Sequence, residues 1–141
     1  MSDNPSVNRC LKDKAFDHID HALGRPIFPL RKSYRNYFAI DASEALAAQF
    51  RGSPHWKETA SAGGMSYFSV TTAGRQALAA YLVGLDEPWG AFTVSYRGQK
   101  RIIPAKSRGK AKYTYYLDIS DVRPDLTFLA FARAATVRRA S

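Results

Sequence analysis

The chain has 141 residues, is 45 % hydrophobic and 13 % aromatic, and carries 21 Lys/Arg against 12 Asp/Glu for a formal charge of +9. That length and apolar content suit one compact domain, or two small lobes sharing an interface, and exclude a disordered basic tail as the whole account. A single cysteine, Cys10, excludes an intrachain disulfide or a cysteine-built metal cluster and fits a reducing compartment.

From the N-terminus, MSDNPSVNRCLKDK offers no apolar stretch for a secretory signal, so the cytosol is the expected location. Leu11, Ala15, Ile19, Ala22 and Leu23 recur at helical spacing and Gly24 makes a stop, which predicts a first helix over residues 10–23. Pro26 and Pro29 then hold the chain extended towards a short edge strand in the stretch Tyr34 to Ile40. Ser43 reads as the N-cap of a short helix whose apolar face is Leu46, Ala47 and Phe50 and whose end is marked by Gly52, Ser53 and Pro54. A hairpin is expected next, with strands at His55 to Glu58 and Tyr67 to Thr71 around the small-residue tip 60–64. Thr71 or Thr72 caps a following helix with apolar positions Ala73, Ala77, Leu78, Tyr81 and Leu82, and 84–88 closes the first lobe.

In the second lobe Ala91 to Tyr96 and Arg101 to Ala105 read as strands joined around Gly98. The stretch Ser107 to Asp121 has tyrosines that suit a strand, but Ala111, Tyr115 and Ile119 fall four apart behind a serine cap, which favours helix. After a turn at Pro124, Leu126 to Phe131 forms the last apolar element, followed by a basic tail ending at Arg138 and Arg139. Stretches such as Ala77 to Leu85 and Leu126 to Ala135 fall short of the roughly 20 residues that span a bilayer, so no membrane partner is expected.

Charge is unevenly spread. Residues 1–88 hold ten Lys/Arg against nine Asp/Glu, whereas residues 89–141 hold eleven against three. The densest stretch, Arg97, Lys100, Arg101, Lys106, Arg108, Lys110 and Lys112, contains no acid and would repel itself unless an anion sits there. A phosphate backbone is the expected partner, with an acidic protein surface as the alternative and plain solvation or edge protection as the bland one. Tyr113, Tyr115 and Tyr116 lie alongside; stacking on unpaired bases is open to them, but at least one belongs in the core. A smaller patch, Arg31, Lys32 and Arg35 with Tyr34 and Tyr37, is expected on an exposed loop within reach of a backbone.

The string YFSVTTAGRQALAAYL, from Tyr67 to Leu82, resembles the end of a winged-helix domain, where a wing strand runs through a threonine cap and a Gly-Arg pair into a further helix. The likeness implies DNA binding, with Arg75 in the first helical turn and a recognition helix corresponding to Ser43 to Phe50. That helix offers only Gln49 and then Arg51 for base edges. As a whole the chain resembles short bacteriophage or prophage proteins, on DHIDHALGRP (Asp17 to Pro26), YRN (Tyr34 to Asn36), VTTAGR and SRGKAKYTYYLDISD. That likeness implies action on nucleic acid, or on a host machine, in the bacterial cytosol.

The acid–base and metal candidates are sparse. His18 and His21 stand three apart with Asp17 and Asp20 nearby, yet no fourth ligand is announced, so both histidines are expected to face solvent. Asp118, Asp121 and Asp125 lack the spacing of a calcium loop and are expected to cap helix and turn. No phosphate-binding loop, dinucleotide fingerprint or nucleophile elbow occurs.

The expected protein is α+β, with a winged-helix-like lobe over 1–88 and a small basic β-β-α-β lobe over 89–141. It needs no metal or cofactor and has no catalytic residues. Its expected function is non-enzymatic nucleic-acid binding, to DNA rather than RNA, through the seven cations together with Arg75 and Arg35, with a homodimer as one arrangement. The alternative is an inhibitor of a host defence complex, in the manner of anti-CRISPR proteins; the third reading is a metal-dependent nuclease.

Overall fold

Two separate hydrophobic cores organise the chain in the computed structural model, which describes residues 3–86 and 88–140. One compact unit is Asn8–Asp86; the other is Glu87–Ser141 together with Met1–Val7. Both are mixed α+β, each with a small antiparallel sheet.

In the unit Asn8–Asp86 the first helix, α1 (Lys14–Leu23), starts later than its apolar pattern suggests. Asp13 supplies the reason: its carboxylate accepts from the backbone N–H of Ala15 and Phe16 and fixes the cap there. Gly24 ends the helix at φ 83, and a side chain there would collide with the Tyr34 ring. Strand β1 (Phe38–Asp41) precedes the seven-residue α2 (Ala45–Arg51), and β2 (Trp56–Ala62) and β3 (Met65–Val70) form the hairpin. The sheet order is β1-β3-β2, and α3 (Thr72–Val83) follows.

Ser43 is not the cap of α2. Its hydroxyl donates to Asp41 Oδ1 at 2.7 Å, closing a turn at the end of β1, and Glu44 takes the cap position with no side-chain bond. The Asp41 carboxyl is held below the usual carboxylate range by those serine hydrogen bonds. At α3 the cap is Thr71, whose hydroxyl oxygen accepts from Gly74 N at 3.1 Å.

The core here is aromatic. Phe50 stacks on Trp56 at 3.9 Å between centroids and meets Phe68 edge-on at 5.3 Å, with Ile19, Leu23 and Leu78 fully buried around them. Beneath α1, Arg9 reaches both oxygens of the wholly buried Asp20, and Arg25 bridges Asp20 and Asp17.

In the C-terminal segment β4 (Gly90–Tyr96) and β5 (Gln99–Ala105) form a hairpin whose two-residue turn, Arg97 and Gly98, has φ 51 and 79. That is a turn whose twist suits a hairpin, and Arg97 carries the cost of a left-handed backbone that glycine would not. The stretch that tyrosines left ambiguous is helix, α4 (Arg108–Ser120), capped by Ser107, with Ala111 and Tyr115 buried.

The last apolar element differs from expectation. Residues 128–134 form a helix, α5 (Phe128–Ala134), because Thr127 caps it through Ala130 N and FLAFARA has no strand alternation. The final strand is instead β6 (Thr136–Arg139), inside the expected basic tail, paired antiparallel to β4 with Val94 opposite Val137. The order is therefore β-β-α-α-β, with the sheet running β5-β4-β6.

One face of this sheet carries Phe92, Val94, Tyr96, Ile103 and Ala105 against Ala111, Tyr115 and Phe131 of the helices. Register puts Thr93, Ser95, Lys100, Ile102, Thr136 and Arg138 on the opposite face.

Candidate nucleic-acid interface

Cations nominated from sequence have different jobs once their partners are seen. Arg75 is structural: its guanidinium donates to Pro29 O at 2.9 Å, Arg31 O at 2.8 Å and Ser33 Oγ at 3.2 Å. Burial lowers its pKa from the usual arginine value, and its hydrogen bonds tie the proline-containing loop to α3. Arg35 likewise donates to His21 O and stands over the Tyr34 ring. These bonds occupy part of each guanidinium's donor set. In the patch expected around Arg35, Arg31, Lys32, Tyr34 and Tyr37 are exposed, as expected, and Arg35 is half-buried.

In the C-terminal unit Lys112 donates Nζ to Ala132 O at 2.9 Å, joining α4 to α5. Arg101 lies over the Tyr115 ring at 4.7 Å and reaches Asp118 Oδ2 at 3.4 Å. Both therefore brace the helical layer, although Arg101 keeps part of its surface in solvent.

Arg97, Lys100, Lys106, Arg108 and Lys110 are all exposed, with Arg97 over the Tyr96 ring and Lys106 over that of Trp89. Arg97 stands at the hairpin turn, and Lys100 shares with Arg138 the sheet face turned away from the helices. Lys106, Arg108 and Lys110 gather where β5 passes into α4. Arg108 and Lys110 occupy the first turn of α4 with no acidic side chain there. Positive side chains at a helix N-terminus oppose its dipole, at about 0.3–1 kcal/mol each, until an anion offsets them.

Beside this cluster is a groove of about 400 Å³ lined by Trp89, Pro104, Ala105, Lys106, Lys110, Tyr113 and Thr114. Lys106 Nζ lies 5.7 Å from the centroid of Trp89. Tyr113 is half-exposed, its ring set edge-on to Phe128 at 5.3 Å. Tyr115 is the core tyrosine and Tyr116 donates its hydroxyl to Leu126 O. Trp89 escaped sequence reasoning because a lone tryptophan after a proline marks no motif; only hairpin register brings it beside Lys106.

Of the two histidines expected to face solvent, His21 does. His18 is half-buried, with its ring edge-on to Phe38 and Phe50, and His21 also meets Phe38. Contact with those neighbours partly desolvates His21 and, with Arg35 and Arg25 close by, pushes its pKa below the histidine range. Asp17 is held low chiefly by its hydrogen bond from Arg25. Among the described residues no three His, Cys, Asp or Glu side chains gather as a metal would require, and no helix is long and apolar enough to cross a membrane.

The recognition helix implied by the winged-helix likeness has little to read with. Arg51 is bonded to Glu58, Ala42 O and Ser66 Oγ, and Gln49 lines a small groove with His18, His55 and Trp56. No protein-family model, curated protein or solved structure matches this chain.

Proposed function

We propose that this protein binds nucleic acid without transforming it, holding the phosphate backbone through the β5–α4 region of its C-terminal unit. The observation that carries this reading is the gathering of Lys106, Arg108 and Lys110 around the first turn of α4, with no carboxylate in that turn. Arg97, Lys100 and Arg138 extend the positive surface around the sheet. In this reading the unit Asn8–Asp86 keeps the winged-helix likeness as a scaffold, with the β2–β3 hairpin in the place of a wing. The whole is a phage-type accessory protein acting on DNA in a bacterial cytosol.

Anisotropy of labelled duplex and single-stranded DNA at about 50 and 200 mM salt tests it, because each phosphate neutralised steepens the salt dependence. Binding that weakens steeply with salt, with a slope reduced by about one for each of Arg108→Ala and Lys110→Ala, is the expected result. Absence of binding at the lower salt overturns the reading.

A second reading, an inhibitor docking on a host complex, is favoured by exposed apolar side chains on the helical layer: Tyr113, Leu117, Phe128 and Leu129. It predicts little affinity for free DNA and a stoichiometric host partner whose capture is lost on Leu117→Asp.

A further inference from the structure

We infer that the groove between Trp89 and Tyr113 takes an unpaired nucleotide of a single strand, with its base against the aromatic rings and its flanking phosphates on Lys106 and Lys110. This rests on the nucleic-acid reading above and deepens it by naming the substrate class.

The groove pairs two chemistries. Its apolar part is Trp89, Pro104, Ala105 and Tyr113, and its charged part is Lys106 and Lys110, with no carboxylate in the lining. A volume of about 400 Å³ lies in the range of pockets that hold small-molecule-sized groups. A nucleotide presents the same pair of chemistries, a flat apolar face beside a fixed negative charge. Bases inside a duplex keep their faces stacked on one another, so an aromatic side chain reaches such a face only on an unpaired strand. An acidic polypeptide without aromatic side chains matches the lysines but brings no flat face for the rings.

Tyr113 is not spent on the core. Tyr115 and Phe131 fill that role at 3 % and 0 % exposure, whereas Tyr113 leaves 48 % of its surface open. Its edge contact with Phe128 fixes the ring, so little conformational freedom remains to be lost when a base lands on it. Lys106 Nζ lies over one face of the Trp89 ring, which leaves the other face for a base and places a cation next to it.

The test compares a fluorescein-labelled fifteen-residue oligothymidylate with a duplex of the same length, at one salt concentration, against the intact chain. Trp89→Ala and Tyr113→Ala are each expected to weaken the single strand about 5- to 150-fold, the factor for one lost stacking contact. Duplex affinity and the single-strand salt slope should stay unchanged. Trp89→Phe and Tyr113→Phe keep an aromatic face and the fold, and should lose far less. Unlabelled oligothymidylate should quench tryptophan emission in the native chain but not in Trp89→Phe, where buried Trp56 is the remaining indole.

Single-strand binding within twofold of native in both alanine variants overturns the inference and leaves backbone binding standing. Equal competition by polyglutamate of matched charge also overturns it, in favour of an acidic protein occupant. If the native chain binds neither oligonucleotide, the nucleic-acid reading falls and this inference falls with it.

Discussion

Arg75 donates to the carbonyl of Pro29 across 46 positions of sequence, at 2.9 Å. The arginine expected as a phosphate contact in the first turn of a DNA-binding helix clamps the loop that joins α1 to β1. Replacing it with alanine should therefore lower stability by about 1–3 kcal/mol, the range for charged hydrogen bonds left without a donor. The salt slope of DNA binding should not change. Chemical denaturation and anisotropy on the same preparation separate the two effects, and a slope reduced by Arg75→Ala would return this residue to the interface.

Asp20 is wholly buried and is held by Arg9 Nε at 2.8 Å and Arg25 Nη1 at 3.2 Å. Arg9→Met removes one cation and strands part of a buried negative charge, a change that costs about 3–5 kcal/mol when such a pair is broken. The unfolding midpoint in urea should fall accordingly. The double variant Arg9→Met with Asp20→Leu should recover part of that loss, because a buried ion pair replaced on both sides is far less damaging.

Gly74 lies where a Cβ would come within 2.6 Å of His55 O and 2.7 Å of Val70 Cγ1. Gly74→Ala is thus expected to destabilise by about 1–3 kcal/mol, although alanine is the better helix former. Thermal melting measures this. An unchanged or raised midpoint would show that α3 can move off the start of β2 without cost.

Stability should fall with acid in two stages. Folded His21 has a pKa below its ordinary 6.5, so the unfolded chain binds the proton more readily, and stability drops as pH falls from 6.5 towards the lower folded value. Folded Asp17 sits below its ordinary 3.8, so its contribution is present above that value and is lost as pH falls through the folded one. Denaturation profiles between about pH 3 and 8 should show both limbs. His21→Asn should flatten the upper one and Asp17→Asn the lower.

Three of the strings singled out in the sequence have structural roles. In DHIDHALGRP, Asp17, Asp20 and Arg25 form the ion cluster and Gly24 the left-handed stop. In YRN, Asn36 pairs through its side-chain amide with both backbone groups of Val70, extending the sheet by one imitation residue. In VTTAGR, Thr71 caps, Gly74 permits close packing and Arg75 clamps.

Local rules in the sequence determined most of the elements. Both hairpins, α1, α3 and the choice of helix for α4 follow from periodicity, caps and turn residues, interactions that span a few positions and so are written in adjacent letters. The placement of β6, by contrast, depends on a hydrogen-bonding edge that β4 provides more than 40 residues earlier, and nothing within TVRR declares it. Charge density singles out the last third of the chain. Which acceptors each cation meets was decided only by folding: backbone carbonyls distant in sequence reach Arg75, Arg35 and Lys112, and Asp118 of α4 reaches Arg101 of β5. A guanidinium or ammonium answers to whatever acceptor lies within about 3 Å, and that neighbourhood exists only in three dimensions.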